Sequence, residues 1–140
     1  MSIQDHKAKA LREIQMWASD NSDTPEDFIA ENYVNHQEPY VEGGVVGVSL
    51  EAWKDLLKGY HHAFSKSNVN VPMQIAEGDL VATKWEITAT QTGDYVGLAP
   101  TGKEVSWTGV QISRFENGKI VESWVDWDKY TLFEGLGLVK

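Results

Sequence analysis

The segment VSWTGVQISRFENGKIVESWVDWD, Val105 to Asp128, constrains the fold more than any other stretch of this chain. Two runs rich in β-branched and aromatic residues flank Asn117-Gly118. That dipeptide best tolerates positive φ at both centres of a two-residue type I′ turn, so a long β-hairpin is predicted. Along its first arm Val105, Trp107 and Phe115 point one way while Val110 and Ile112 point the other. Along the second, Ile120 and Trp124 oppose Val121, Val125 and Trp127. A sheet with one wet face would alternate apolar and polar residues cleanly. This hairpin carries apolar residues on both sides and is expected to be covered twice, by the chain's own helices and by a second subunit.

The remaining elements are read outward from that hairpin. From about Ser2 to Ser19, Ile3, Ala10, Leu11, Ile14, Trp17 and Ala18 recur near helical spacing, with Lys7, Lys9, Arg12 and Glu13 placed off that stripe. After Asp20-Asn21-Ser22-Asp23, the run Thr24-Pro25-Glu26-Asp27 has an N-cap residue, a proline and first-turn acids. It predicts a second helix carrying Phe28, Ile29 and Tyr33 and fading near His36. Gly43, Gly44 and Gly47 read as a flexible loop, and Ser49 as the N-cap of a helix with Trp53, Leu56, Leu57, Tyr60 and Phe64. Period two then takes over. Strands are expected over Val69 to Ala76 and Leu80 to Gln91, joined at Glu77-Gly78-Asp79, and Pro100 to Lys103 leads into the hairpin. Lys129 to Lys140 should hold a short helix stopped by Gly135 and Gly137.

Helices first and strands afterwards predict an α+β fold, a curved antiparallel sheet with helices on one face and a pocket between the layers. At 140 residues, without internal repeat or linker, the chain is read as a single domain over residues 1–140. The net charge of -9 repels phosphate backbones and anionic membranes, so no nucleic-acid or membrane partner is expected. There is no cysteine, which excludes disulfides and thiolate chemistry and fits a cytoplasmic location. His61 and His62 diverge by about 100° on a helix and cannot share a metal, and the acids are scattered, so no metal site is expected. No Gly-rich phosphate loop and no Gly-x-Ser-x-Gly elbow is present.

Five motifs in order make the chain resemble the SnoaL-like polyketide cyclases, within the nuclear-transport-factor-like cone folds. They are Tyr33-Val-Asn-His-Gln-Glu-Pro39, Glu77-Gly-Asp-Leu-Val-Ala82, Gly97-Leu-Ala-Pro-Thr-Gly-Lys103, Asn117-Gly-Lys-Ile-Val-Glu-Ser-Trp124, and Trp127-Asp128 ahead of Leu132-Phe-Glu-Gly-Leu-Gly137. The resemblance implies a cone with a deep apolar pocket, a homodimer or higher assembly, and chemistry without metal or cofactor. It also implies an aspartate at the end of the last long strand acting as general acid/base in an intramolecular aldol closure, which Asp128 matches. A carboxylate in an apolar cavity would have a raised pKa suited to moving a proton between carbon and oxygen.

The family's strand histidine is missing, since no histidine follows His62. The arm that carries that histidine in the family offers Gln111 and Trp107 or Ser113 here; His36 is the candidate for the second proton-transfer group, and Gln111 for a hydrogen-bond donor to the carbonyl. Tyr33, Trp53, Tyr60, Trp107 and Trp124 are expected to wall a cavity suited to a small flat, apolar guest, and Trp85 belongs with these aromatics. The function expected is cyclase- or isomerase-type proton transfer on a small apolar carbonyl compound. Epoxide hydrolysis through Asp126, Asp128 and Arg114 ranks lower, and a non-catalytic binding and dimerisation domain is the alternative of another class.

Overall fold

The computed structural model describes residues 2–37 and 47–139. The sheet runs in the order β2-β1-β6-β5-β4-β3. Its strands are β1 (Ile29–Gln37), β2 (Gly47–Ser49), β3 (Phe64–Glu77), β4 (Leu80–Gln91), β5 (Glu104–Glu116) and β6 (Lys119–Trp127). All pairings are antiparallel except β1 with β6. Helices α1 (Ile3–Gln15) and α2 (Leu50–Ala63) cover the inner face, and α3 (Lys129–Gly135) packs beside β5. This is the expected α+β architecture.

The hairpin forms as its sequence dictates. Asn117 and Gly118 take φ of 50° and 78°, the left-handed pair a type I′ turn requires. One detail differs. Between Arg114 and Phe115 the ladder shifts, so that Arg114 faces Glu122 while Phe115 faces Ile120. The extra residue is a β-bulge that turns Ile120 inward beside Val121, leaving Trp124 alone on the outer side.

Ser2 and Asp5 close a capping box on α1. The helix ends at Gln15, short of Ser19, because the next turn is tied to β3: Ser67 Oγ donates to the Trp17 carbonyl at 2.7 Å and Ser67 N to Ser19 Oγ at 2.7 Å. Glu13 lies inside the apolar stripe of α1, with His6, Ala10 and Ile14 as the helix's other buried residues. The expected second helix is replaced by one 3-10 turn, Pro25–Asp27, followed by β1. Local capping signals start a turn there, but parallel pairing with β6 and insertion of Phe28, Ile29 and Tyr33 into the core override them. Ser49 caps α2 through its Oγ, which accepts from Ala52 N at 3.2 Å. Gly47 belongs to β2, while Gly43 and Gly44 lie outside the described residues. The strand expected from Val69 begins at Phe64, and Leu80–Gln91 forms with the expected bounds.

The core divides in two along α1. One part gathers Phe28, Tyr33, Trp53, Val81, Phe115 and Ile120. The other gathers Ile14, Tyr60, Phe64, Trp85, Trp107 and Leu132. Among the described residues no helix is long and apolar enough to cross a membrane.

Candidate active site

The cavity opens where the sheet curves away from the helices. Ile14 and Trp17, Trp53 and Tyr60 of α2, and Trp85, Ile87, Trp107 and Trp127 of the sheet form apolar walls. Tyr95, from the loop after β4, and Leu132 of α3 complete them. The empty space, open mouth included, is about 560 Å³. Its polar lining comes from one side, where Asn35 and Gln37 of β1 and Gln111 of β5 flank Val125 of β6.

The aromatic walls are held by their own contacts. Trp17 meets Trp53 edge-on at 6.2 Å and Tyr60 at 5.1 Å, and Tyr60 stacks on Phe64 at 5.1 Å. Ser67 Oγ gives its one proton to the Trp17 carbonyl, so the Tyr60 hydroxyl 2.7 Å away donates to Ser67. Gln91 of β4, fully buried, donates to the carbonyls of Gly93, Leu98 and Ala99, and its Oε1 accepts from Thr101. These bonds pin the loop that carries Tyr95.

Behind the polar wall lies a group that sequence reasoning missed. Glu13 of α1 is 0% exposed. Tyr33 donates its hydroxyl to Glu13 Oε1, and Asn35 Nδ2 donates to the Tyr33 hydroxyl at 2.7 Å. Ser123 Oγ lies 3.5 Å from the same Oε1, and Gln111 Nε2 donates to Ser123 Oγ at 3.3 Å. Oε2 has no hydrogen-bond partner among the described residues. Burial pushes the Glu13 pKa from 4.5 to about 7, while hydrogen bonds from Tyr33, Gln111 and Ser123 hold it down from going further. Burial, and then the neighbouring Glu13, pushes Tyr33 well above the ordinary tyrosine value. The signal was present in the sequence, because a glutamate inside the stripe of His6, Ala10 and Ile14 must be buried if the helix packs. Asn35 and Gln37 escaped because β1 was read as a helix.

Of the residues expected at the site, Trp53, Tyr60, Trp107, Gln111 and Trp85 line the cavity. Tyr33 stands one layer behind, its ring edge-on to Trp53 at 6.2 Å. Ser113 is buried on the inner face, and its Oγ has no hydrogen-bond partner among the described residues. Trp124 is on the opposite face, where His36 stacks on it at 5.7 Å.

The expected pairing of Asp128 with His36 is not formed. His36 Nε2 pairs with Glu122 at 2.8 Å on the outer face. Asp128 is exposed and caps α3, accepting from Thr131 N at 3.0 Å and Thr131 Oγ1 at 2.5 Å. Those bonds lower its pKa, the reverse of the expected rise. Strand parity explains the displacement: the inward residues of β6 are Val121, Ser123, Val125 and Trp127, and exposed Asp126 falls between them. Arg114 is likewise engaged on the outer face, where it pairs with Glu122 at 3.1 Å. Among the described residues no three His, Asp or Glu side chains converge as metal ligands.

Comparison with known proteins decides the family. A family model described as SnoaL-like polyketide cyclase matches residues 8–136. The chain belongs to the SnoaL-like polyketide cyclase family. Solved structures of similar proteins agree with this SnoaL-like assignment. AclR from Streptomyces galilaeus, provisionally assigned as a hydroxylase, is 31% identical with a TM-score of 0.81, over 97% of this chain and 83% of its own. IdmH from Streptomyces antibioticus, provisionally assigned as a polyketide cyclase, is 25% identical with a TM-score of 0.78, over 94% of this chain and 98% of its own. At 18% identity, a SnoaL-like protein from Jannaschia sp. CCS1 shares the fold with a TM-score of 0.83, over 100% of this chain and 97% of its own. No curated protein matches the sequence.

Proposed function

We propose that this SnoaL-like chain binds a small, flat, apolar carbonyl compound between its aromatic walls and catalyses acid-base chemistry of the cyclase or isomerase type on it. One observation carries this: an aromatic cavity whose polar lining is gathered on one wall, with a fully buried carboxylate behind it. Trp53, Tyr60 and Trp107 supply the faces on which a planar guest stacks. Gln111 meets the guest's oxygen, because its amide lies on the cavity wall and one of its N–H groups holds it to Ser123. Glu13, with its pKa raised to about 7, is the group at this end that can hold or release a proton near neutral pH. Asp128, ionised and exposed as a helix cap, and His36, on the far face, have no proton-transfer role in this scheme.

A second function, non-catalytic binding, is favoured by one fact: among the described residues no carboxylate or imidazole lines the cavity itself. The two are separated with 2-acetylnaphthalene in deuterated buffer, by following solvent deuterium into its methyl group by proton NMR. Catalysis predicts exchange faster with protein than in buffer, lowered about 100-fold by Glu13→Gln and unchanged by Asp128→Asn. Binding without accelerated exchange would establish the non-catalytic function.

A further inference from the structure

Two hydrogen-bond chains run from the cavity wall to a single oxygen of Glu13. In the first, Gln37 Nε2 donates to Asn35 Oδ1 at 3.0 Å, Asn35 Nδ2 to the Tyr33 hydroxyl at 2.7 Å, and that hydroxyl to Glu13 Oε1. In the second, Gln111 Nε2 donates to Ser123 Oγ at 3.3 Å, and Ser123 Oγ to Glu13 Oε1 at 3.5 Å. Their direction follows from what each group can offer. An ionised carboxylate only accepts, so Tyr33 and Ser123 each give it their one proton. Each hydroxyl oxygen then accepts from an amide nitrogen, and Asn35, so turned, offers its oxygen to Gln37. One buried charge therefore sets the orientation of both wall glutamines, which stand on either side of Val125 and line the cavity. The network uses one N–H of each glutamine and neither Oε1, so a guest that donates meets an acceptor on each of them.

We infer that Glu13 is a specificity-determining positioning residue, which sets Oε1 of Gln37 and of Gln111 as hydrogen-bond acceptors on the cavity wall and so selects planar guests that present a hydroxyl, an enol or phenol, over ethers of the same shape. The assignment rests on the pocket proposed above and deepens it, since a wall that accepts from an enol favours the enol form of a carbonyl compound. Hydrogen bonds in a chain polarise one another, so the charge on Glu13 strengthens the acceptors at the far ends. Its protonation weakens them. The groups facing Glu13 are Tyr33 from β1, Gln111 from β5 and Ser123 from β6. Only Tyr33 among them titrates, and far above neutral pH. On α1 itself, His6 stacks on Phe115, Lys9 is held by the Gly118 carbonyl and Arg12 by Asp23. The Glu13→Gln variant assigns any loss of selectivity near pH 7 to Glu13.

The test compares 2-naphthol with 2-methoxynaphthalene, equally flat but lacking the donor, by NMR titration at pH 8 and pH 5.5, a range over which the naphthol stays a neutral phenol. The wild type should bind 2-naphthol about tenfold more tightly at pH 8, and the ratio should fall several-fold at pH 5.5. Glu13→Gln should give a ratio independent of pH. Ser123→Ala, which cuts one chain and leaves the Tyr33 bond, should lower the pH 8 ratio in part and serves if Glu13→Gln does not fold. A wild-type ratio that does not change with pH, or an unchanged pH dependence in Glu13→Gln, would overturn the inference while leaving the pocket standing. If neither probe shifts the signals of Trp53, Tyr60 and Trp107, the pocket fails and the inference with it.

Discussion

The two faces of one sheet use the same strands for opposite ends. Across the inner face, β-ladder rows run Gln74–Thr83–Gln111–Val125–Gln37 and Val81–Ser113–Ser123–Asn35. These polar side chains are covered by α1 and satisfied mainly by one another and by Glu13 and Tyr33. Across the outer face one row runs Ile75–Ala82–Ile112–Trp124–His36, flanked by Met73–Lys84–Val110–Asp126 and by Leu80–Arg114–Glu122–Val34. Here apolar side chains are open to solvent, Ile75 at 63%, Ile112 at 39% and Trp124 at 37%. The usual rule of apolar inside and polar outside is partly inverted. The lesson is that burial on one face serves a polar network, while the other face leaves apolar side chains in contact with solvent.

We propose that the partner of this outer face is a second copy of the chain. An isologous interface needs a self-complementary patch. A two-fold axis along β5 lays Lys84 on β4 of one protomer opposite Asp126 on β6 of the other, with the apolar side chains of Val110 and Ile112 near the axis. The Arg114–Glu122–His36 cluster would then border the interface, which gives those ion pairs a setting drier than a free surface.

Three substitutions or titrations test the contrast between the faces, in falling order of effect on folding. Trp107→Ala, on the inner face, should cost about 3–5 kcal/mol in urea unfolding, because it opens a void beneath Tyr60 and Phe64. A loss under 1 kcal/mol would mean that the cavity already tolerates a missing wall.

The next effect comes from Glu13. Its folded pKa, about 7, exceeds its ordinary 4.5, so the unfolded chain releases this proton more readily. The associated stability is fully present below about pH 4.5 and is lost as pH rises through about 7. The loss by pH 8 should be on the order of 3 kcal/mol. Glu13→Gln should flatten that slope, and equal slopes in both proteins would place the titration elsewhere.

Ile112→Lys, on the outer face of the same strand as Trp107, should change monomer stability by less than about 1 kcal/mol while abolishing self-association. Light scattering at micromolar concentration should give a dimer mass for the wild type and a monomer mass for the variant. A monomeric wild type would remove the proposed partner.

Much of the fold was legible because its signals are local. Asn117-Gly118 could only be a tight turn between strands, Ser49 could only begin α2, and alternation from Leu80 to Gln91 marked β4 to its ends. Failures came where distant partners outvoted local preference. Thr24-Pro25-Glu26-Asp27 carries the residue types that start a helix, yet Ile29 and Val34 to Gln37 had a strand to pair with on β6. The site was half legible for the same reason. Trp53, Tyr60, Trp107 and Gln111 announced themselves by residue type, whereas Asp128 was separated from the cavity by one residue of strand parity and a helix cap.

What the sequence determined by itself was the α+β class, the central hairpin and the supply of aromatics for a pocket, since turn chemistry and side-chain period act over a few residues. What only the tertiary structure decided was which carboxylate is buried. Helix spacing puts Glu13 inside the stripe of α1 and strand spacing puts Asp128 just past the end of β6, but the solvation of each depends on what distant elements pack over it. Glu13 is sealed beneath the sheet by Tyr33 and Ser123, while Asp128, in the segment that most invited a catalytic role, is left in water holding the end of a helix.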